Sequence, residues 1–316
     1  MNYQGWVQGM EKSLVSTLLY KYPELPQHIG IVMDGNRRYA REHHASRHEG
    51  HSSGFETMSG ILAVAYSAGI REITVYAFSI ENFNRNPDEV EDLMNIARDK
   101  LGELVAKGGV ANKYGVKINV MGRVNLLPLD LQELANEITE ITKNNTRAVL
   151  NLCMPYTARD DITHAIQETV KDLQGKIRNN PEYNISKIHD LKQDLHENEN
   201  KNDNETSTLQ SKAANDDTSN KPNSSNSSIL ESINISEETI TSNMYENTLP
   251  LDLLIRTSGT YRLSDFMLWE ITMSTYIDFV ADLWPEYSPF CFMKSITKWL
   301  LWKHDWLKNH PQNCHT

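Results

Sequence analysis

A carboxylate and two guanidinium groups lie within five residues near the start of the chain. Asp34 is followed by the turn residues Gly35 and Asn36, and then by Arg37 and Arg38. Adjacent arginines present forked donors that match phosphate oxygens, and a helix N-terminus attracts anions, so this stretch predicts a phosphate-binding turn. Because a carboxylate beside a phosphate needs a cation between them, we predict that Asp34 holds Mg²⁺ together with a diphosphate. The simpler alternative is that Asp34 only caps a helix and that the arginines are solvated.

A second set of oxyanion-binding side chains lies far along the chain. Arg256 and Arg262 flank a glycine turn, and Ser264 follows the second arginine. Like the first set, it comes after an apolar run that predicts a buried strand. Since ligands in open α/β sheets bind outside the carboxyl ends of the strands, we expect both sets at one edge of a sheet. Two phosphate sites at one edge indicate either two phosphorylated substrates or one dinucleotide.

Polar side chains between these two sets extend the candidate site. Arg47 and His51 precede an apolar helical pattern for which Ser52 and Ser53 are the predicted caps, so both are expected near a helix start. Residues 79–85 follow another apolar run and include small polar groups and an arginine. We therefore expect these side chains to face the phosphate-binding turn.

The simpler interpretation of residues 79–85 is an ordinary strand-to-helix connection. Asn86 would then be the N-cap, Pro87 the first helical residue, and Glu89 would close a capping box. The helix that follows carries apolar residues at i, i+3 and i+4 spacing, a pattern that usually marks a core-facing surface. These residues are Val90, Leu93, Met94, Ala97, Leu101 and Leu104.

Six short apolar runs alternate with helical patterns, and this alternation predicts an α/β fold. Each run reads as a strand buried on both faces, the kind that parallel sheets contain. The runs lie at residues 29–33, 72–78, 116–121, 147–154, 251–256 and about 277–281.

Composition narrows the class of protein. The chain has 316 residues, a net charge of −11 and a pI near 5.5, which argues against general nucleic-acid binding. Three widely spaced cysteines without a CxxC pair argue against a disulfide framework or a zinc site and favour a reducing compartment. No run reaches the roughly 18 apolar residues that span a bilayer, and no signal peptide is recognisable.

Hydrophobic patterning divides the chain into three kinds of segment. Residues 1–25 predict an amphipathic N-terminal helix that lies on a membrane surface or, as the simpler alternative, packs on its own domain. Residues 26–316 form the main domain. Within it, residues at about 195–228 are rich in Asn and Ser and are predicted to be disordered, because they cannot bury enough apolar area. The aromatic and basic pattern at 290–307 predicts a helix that meets a membrane, a partner or the core.

Several of these motifs resemble the cis-prenyltransferases of the undecaprenyl diphosphate synthase family. The stretch His-Ile-Gly-Ile-Val-Met-Asp-Gly-Asn-Arg-Arg from residue 28 is similar to the first family signature. Tyr-Ala-Phe-Ser-x-Glu-Asn-Phe-x-Arg from residue 76 and Ile-Arg-Thr-x-Gly-x-x-Arg-Leu-Ser-x-Phe from residue 255 are similar to two later signatures. Shorter blocks at residues 155–159 and 283–287 also match. The double arginine and the Thr-Ser-Gly sequence resemble the eukaryotic branch, the dehydrodolichyl diphosphate synthases.

The resemblance implies a fold and a reaction. The fold would be a central, mostly parallel six-stranded sheet flanked by helices, with the helix after residue 87 lining a tunnel for the growing chain. The reaction would condense isopentenyl diphosphate onto farnesyl diphosphate with Mg²⁺, and the long polyprenyl diphosphate would serve dolichol synthesis and protein glycosylation. The implied catalytic residues are Asp34, which is also the metal ligand, His51, Ser79 and Asn82. The implied substrate-binding residues are Gly35, Asn36, Arg37, Arg38, Arg47, Arg85, Arg256, Arg262 and Ser264.

The sequence departs from the family pattern at two places, one in a metal-binding position and one in a motif that bears on assembly. Many bacterial members carry a magnesium-binding Glu where this sequence has Thr275. Homodimeric members end in an Arg-x-Gly motif, which this sequence does not show. Eukaryotic members obtain that motif from an accessory subunit of the Nogo-B receptor type, so we expect a heteromer. By the same resemblance we expect peripheral attachment to the cytosolic face of the endoplasmic reticulum membrane, or to lipid droplets.

Three other functions are weighed against this one. A non-catalytic scaffold subunit of such a complex would typically lack the Asp and the arginines found here. A mononucleotide-binding α/β enzyme would need a GxGxxG or Walker loop, and neither occurs. Helical trans-type prenyltransferases bind magnesium through DDxxD, which is also absent from the sequence.

Overall fold

A computed structural model describes residues 24–179, 235–246 and 248–310. The predicted N-terminal helix, apart from its last two residues, and the predicted insert at 195–228 lie outside the described residues. The described residues contain six strands, close to the predicted apolar runs. The strands are β1 His28–Val32, β2 Glu72–Tyr76, β3 Val116–Met121, β4 Ala148–Cys153, β5 Leu253–Arg256 and β6 Tyr276–Phe279.

The six strands form one sheet in the order β3-β4-β2-β1-β5-β6, and every neighbouring pair is parallel. The predicted fold class is therefore confirmed, with a sheet that is parallel throughout. β1 lies between β2 and β5, so the chain moves to one side of β1 first and later returns to the other side. Such a switch point opens a crevice at the carboxyl ends of the strands.

Eight α-helices lie in the described part of the chain, and together with three short 3₁₀ helices they connect the strands. The 3₁₀ helices are Ile80–Asn84, Val124–Leu126 and Trp284–Glu286. The α-helices are α1 Asn36–Glu42, α2 Arg47–Ala68, α3 Pro87–Val105, α4 Val110–Tyr114, α5 Leu129–Thr142, α6 Ala158–Asn179, α7 Glu237–Thr241 and α8 Pro289–Asn309.

The start of α2 differs from the prediction. Instead of Ser52 or Ser53, Ser46 is the N-cap: its hydroxyl accepts the backbone N–H of Glu49, and the Glu49 carboxylate accepts the N–H of Ser46. This complete capping box satisfies two helix-end donors and starts the helix about two turns earlier. Arg47 therefore lies in the first turn of α2.

The described residues divide into two compact units, 24–162 with 245–246 and 248–310, and 163–179 with 235–244. The first unit holds the whole sheet, and its centre is made of strand residues without solvent exposure, such as Ile29, Ile73, Ile118 and Leu253. In the second unit, the Asn243 side chain donates to the hydroxyl of Thr169 at 3.0 Å. All candidate site residues belong to the first unit.

Helix α8 packs one face on the core of the first unit. Phe292, Ile296 and Trp299 are buried there, whereas Phe290 and Leu301 are exposed. Of the interpretations open for this segment, core packing is confirmed for its buried face. None of the helices in the described ranges combines the length and the apolar character that crossing a bilayer requires.

Candidate active site

The carboxyl ends of β1 and β5 bring the two predicted phosphate-binding sets together. Val32 of β1 pairs with Arg256 of β5, and Asp34 follows two residues after Val32. Arg256 Nη2 donates to Asp34 Oδ2 at 2.8 Å. The two sets are therefore parts of one site, although 222 residues separate these partners in the sequence.

Arg256 is a buried organiser of this site. Its side chain is only 3% exposed. Besides Asp34, its Nη1 donates to the carbonyl oxygen of Arg262 and to the hydroxyl of Ser264, both at 2.7 Å. Charge-assisted bonds of this kind are shorter and stronger than neutral ones. Arg256 thus fixes the positions of Asp34 and Ser264 at the edge of the sheet.

Asp34 is ionised at neutral pH. Burial by itself would raise the pKa of its carboxyl group, but the hydrogen bond and charge of Arg256 outweigh burial, with help from Ser258 and Arg38, and the pKa is lowered. Arg38 lies 3.9 Å from Asp34 Oδ1, and it donates to the carbonyl oxygen of Ser258 at 2.8 Å. A metal cation binds the ionised form of a carboxyl group, and this is the form that Asp34 has.

The turn after β1 requires glycine for two reasons. Gly35 has a φ of 117°, a conformation that is strained for other residues, and a Cβ there would lie 3.0 Å from backbone atoms of Leu283 and Trp284. The turn is also tied to this neighbouring segment, because the N–H of Trp284 donates to the Asp34 carbonyl oxygen at 3.0 Å. Asn36 donates to the Met33 carbonyl oxygen at 3.1 Å, and its own buried side-chain oxygen has no hydrogen-bond partner in the described ranges.

Three of the predicted arginines converge on one carboxylate. Glu89 accepts from Arg85 Nη1 at 2.8 Å, and its oxygens lie 3.5 Å from Arg37 Nη1 and 3.9 Å from Arg47 Nη1. The predicted capping box at Glu89 is wrong: the Asn86 side chain caps α3 through the N–H of Asp88, and the Glu89 side chain turns to the arginines instead.

Three residues predicted to be catalytic line the same cavity as these arginines. Burial and the charge of Arg85 lower the pKa of His51 to about 4, so its imidazole is neutral at physiological pH. Ser79 caps the short helix that follows β2: its hydroxyl accepts the N–H of Glu81, while Asn82 Oδ1 accepts the N–H of Ser79, each at 3.2 Å. This reciprocal cap fixes the direction of the Asn82 carboxamide.

The loop after β5 carries backbone strain next to the site. Ser258, Ser264, Asp265 and Met267 have φ values between 49° and 80° without being glycine. Strained residues of this kind persist only where the surroundings hold them, and they cluster at functional sites. Here Arg159 holds Asp265: its Nε donates to one carboxylate oxygen at 2.8 Å, and its N–H donates to the other at 3.0 Å. The sequence assigned no such supporting role to Arg159.

A cavity of about 1040 Å³ connects these polar groups with an apolar interior. Its mouth is lined by Asp34, by Arg37, Arg38, Arg47, Arg85, Arg256 and Arg262, and by His51, Ser79, Asn82 and Ser264. This volume lies just above the ~300–1,000 Å³ typical of small-molecule sites. The interior is lined by Phe55, Met58, Leu93, Ile96, Ala97, Leu101, Leu104, Val120, Leu152 and Met154.

The side chains at the cavity mouth suit a divalent cation that is bound partly by the protein and partly by the substrate. The described residues contain no group of three or more His, Cys, Asp or Glu side chains placed to hold a metal. Asp34, however, is ionised and lines the mouth of the cavity, and Mg²⁺ is often bound by one carboxylate plus substrate phosphates and water. Thr275 is buried and donates to the Leu251 carbonyl oxygen at 2.8 Å, so its hydroxyl is engaged elsewhere.

Comparison with known proteins identifies the family. Residues 32–304 match the undecaprenyl diphosphate synthase family of prenyltransferases. The chain belongs to this family. Since family and relatives share the transferase activity, this protein is a cis-prenyltransferase, and a divalent metal is the general requirement of the family.

Similar proteins occur in eukaryotes and archaea. The chain is 36% identical to a dehydrodolichyl diphosphate synthase complex subunit of Schizosaccharomyces pombe, over 95% of this chain and 97% of that protein. It is 35% identical to the corresponding human complex subunit, over 90% of this chain and 71% of that protein. It is 32% identical to an undecaprenyl diphosphate synthase of Pyrococcus furiosus described as specific for geranylgeranyl diphosphate, over 86% and 83% of the two chains.

Solved structures with the same fold come from a plant and a bacterium. Lavandulyl diphosphate synthase from Lavandula x intermedia superposes with a TM-score of 0.63 at 22% identity, covering 87% of this prenyltransferase and 95% of the plant chain. A probable undecaprenyl diphosphate synthase from Campylobacter jejuni gives a TM-score of 0.58 at 23% identity, with the same coverage. At this level of identity the likeness supports the fold of the prenyltransferase alone.

Proposed function

We propose that this cis-prenyltransferase condenses isopentenyl diphosphate onto an allylic diphosphate such as farnesyl diphosphate, with Mg²⁺ as cofactor. The product would be a long-chain polyprenyl diphosphate for dolichol synthesis and protein glycosylation. The observation that carries the proposal is the cavity, in which a mouth lined by arginines continues into an apolar interior. A ligand with a diphosphate head and a hydrocarbon tail matches both parts.

The proposed reaction assigns a task to each part of the mouth. The allylic diphosphate binds at the turn of Gly35, Asn36 and Arg37, and isopentenyl diphosphate binds near Arg262 and Ser264. A bond forms between the allylic carbon and the terminal alkene carbon of isopentenyl diphosphate. Diphosphate leaves the allylic substrate with the electron pair of the broken carbon–oxygen bond. The positive charge then lies on the branched alkene carbon of isopentenyl diphosphate, and the CH2 group between this carbon and the diphosphate-bearing carbon loses a proton to form the new double bond.

The residues of the chain stabilise the charge that this reaction moves. The arginines at the mouth hold the leaving diphosphate, and such preorganised donors stabilise developing negative charge without reorganisation. When bound at Asp34, Mg²⁺ would neutralise charge on the diphosphate. The carboxamide of Asn82, held by Ser79, faces the same cavity as neutral His51, and we propose that this group orients isopentenyl diphosphate for proton loss.

We also propose that the enzyme acts with an accessory subunit of the Nogo-B receptor type. The relatives in fission yeast, human and budding yeast are described as complex subunits. β6 is the last strand in the order of the described sheet. The ring of Tyr261 lies 5.3 Å from that of Phe279 in β6 and is 79% exposed.

For location, we propose the cytosolic face of the endoplasmic reticulum membrane, with lipid droplets as a second site. The support is chemical: a polyprenyl product of this length partitions into a membrane as it leaves the apolar cavity. Fractionation of cells that produce the tagged full-length chain tests this location. Recovery of the chain in the soluble fraction alone would contradict it.

The scaffold alternative is not favoured. The chain retains the aspartate and the arginines of the site, and the structure assembles them around one cavity. A scaffold subunit has no need for such an assembly.

Incorporation of labelled isopentenyl diphosphate into long-chain product tests the proposal. The purified chain would be assayed with farnesyl diphosphate and Mg²⁺, alone and with the accessory subunit. We expect Asp34→Asn to lower kcat by about 10² to 10³, the loss typical for removal of an electrostatic catalyst. Asp99→Asn removes the same charge from an exposed position of α3 and should leave the rate unchanged. Product formation by Asp34→Asn at the normal rate would overturn the role of Asp34. Full activity without the partner would overturn the heteromer.

A further inference from the structure

Glu89 contacts three arginines of the cavity mouth. It is in the first turn of α3, and its side chain is only 9% exposed. Its three cationic neighbours come from three different elements, since Arg37 belongs to α1, Arg47 to α2, and Arg85 to the connection before α3. These arginines line the cavity, whereas Glu89 does not. The carboxylate therefore contacts the arginines without itself lining the space that a ligand would fill.

The Glu89 carboxylate reduces the repulsion among the three arginines around it. Three guanidinium groups repel one another, and the exposed side chains of Arg37 and Arg47 would otherwise turn into solvent, since they are 56% and 59% exposed. A buried carboxylate without cationic partners would be equally unfavourable. Each partner thus stabilises the other, and the arrangement draws three separate elements to one point.

The sum of these charges matches a phosphate group. His51 belongs to the same group of side chains and is neutral at physiological pH, because burial lowers its pKa to about 4. Three positive charges and one negative charge leave two positive charges. A terminal phosphate group carries about −1.5 to −2 at neutral pH. The group is therefore balanced for one phosphate, and would hold excess positive charge without Glu89.

We propose that Glu89 is a positioning residue that holds Arg37, Arg47 and Arg85 as a three-armed cradle for one phosphate group of a substrate diphosphate. The inference rests on the proposed function, in that the anion is taken to be a diphosphate. It assigns Glu89 no contact with substrate. Its effect passes through the guanidinium groups, whose fork geometry must be fixed before a bidentate bond to phosphate forms.

Binding of inorganic pyrophosphate to the full chain, measured by calorimetry, tests the cradle directly. Glu89→Gln keeps the shape of the side chain and removes its charge, while Glu89→Asp keeps the charge on a shorter stem. The matched control is Glu91→Gln, which makes the same charge change at an exposed position of the same helix. We expect Glu89→Gln to weaken pyrophosphate binding about tenfold, Glu89→Asp to restore part of the affinity, and Glu91→Gln to bind like the unchanged protein.

Kinetics separate positioning from a general structural role. We expect Glu89→Gln to raise KM for one of the two diphosphate substrates about tenfold while kcat falls less than threefold. Loss of affinity for both substrates together with a lower Tm, without rescue by Glu89→Asp, would show that Glu89 only supports the fold and would overturn the inference. Pyrophosphate binding by Glu89→Gln that equals or exceeds that of the unchanged protein would overturn it as well.

A double-mutant cycle covers the case in which Glu89→Gln does not fold. Arg47 is exposed, so Arg47→Gln should fold, and it can be combined with Glu89→Asp. If the cradle acts as a unit, the effects of the two changes on pyrophosphate binding are not additive. Additive effects would overturn the cradle. Failure of the unchanged protein to bind pyrophosphate would instead overturn the proposed function, and these two failures are distinguishable.

Discussion

Arg256 illustrates how a single buried residue organises the site. Its position in a family signature indicates a contact with isopentenyl diphosphate, and that role stays a prediction. The structure shows a buried guanidinium group that joins Asp34 of the first phosphate-binding set to Ser264 of the second. Its Nε has no hydrogen-bond partner among the residues that the structure describes. A buried charged group with an unpaired N–H lowers the stability of the fold. The arrangement of Arg256 therefore serves the geometry of the site and not the stability of the fold.

Glu270 is expected to make stability depend on pH. Burial raises its pKa from 4.5 to about 7, with a further contribution from the charge of Asp161. Within the described part of the chain, its buried Oε2 has no hydrogen-bond partner. The folded state binds the proton of the Glu270 carboxyl group more tightly than the unfolded state does, so this proton contributes to the free energy of unfolding. The contribution is complete below pH 4.5 and is lost as the pH rises to about 7. Glu270→Gln resembles the protonated form, so we expect it to raise the free energy of unfolding at pH 8 by about 2 kcal/mol.

Urea denaturation of both proteins at pH 5 and pH 8 measures this effect. The advantage of Glu270→Gln should be large at pH 8 and small at pH 5. Glu91→Gln, at an exposed position, should show no such dependence. Equal advantages of Glu270→Gln at the two pH values would contradict the raised pKa.

At the scale of elements, the packing of α1 on α2 explains why the start of α2 was predicted wrongly. Gly50 and Gly54 weaken a helical pattern, because glycine is a poor helix former. The structure places the Asn36 carbonyl oxygen 2.7 Å from the Cβ that any other residue would add at Gly50. At Gly54, Asn36 Oδ1 would lie only 2.3 Å from a Cβ. Close approach of two elements therefore outweighs helix propensity here.

Replacement of Gly54 by alanine tests this packing. Although alanine favours helices by about 1 kcal/mol over glycine, the overlap with Asn36 and Trp284 should cost more, so we expect a net loss of about 1–3 kcal/mol in the free energy of unfolding. Activity should fall too, because Asn36 and the adjacent Arg37 would move. Gly102→Ala in α3 is the control, since no atom lies within 4 Å of its added Cβ, and it should stabilise the protein. Equal stabilisation by both changes would contradict the close contact.

At the scale of the whole molecule, the cavity depends on several elements at once. The segments that follow β1, β2 and β5, together with the start of α2, supply its charged mouth, and α2, α3, β3 and β4 supply its apolar interior. The apolar residues predicted on one face of α3 fall into two groups. Met94 is buried in the core, and the residues that line the cavity are Leu93, Ala97, Leu101 and Leu104. The length of the space open to a hydrocarbon tail is thus a property of the assembled fold.

A bulky side chain inside the cavity should shorten the product. Ala97→Trp places an indole in the apolar interior, so the first condensations should proceed and elongation should stop earlier. Ile141→Trp is the control, because Ile141 is exposed on α5 and outside the cavity. Chromatography of radiolabelled products gives the chain-length distribution. An unchanged distribution for Ala97→Trp, with normal activity, would show that the growing chain occupies another space.

The sequence by itself determined the class of fold, six strands within a few residues of their ends, the turn after β1 and the family of the protein. These features depend on local chemistry, because buried parallel strands are short apolar runs and phosphate-binding turns need glycine and arginine. Only the tertiary structure decided that Asp34 meets Arg256, that Glu89 gathers three arginines and that Arg159 holds the strained loop at Asp265. Those pairings join residues that are distant in sequence or lie on separate elements, and charge partners are chosen by the packing that brings them within a few ångströms of each other.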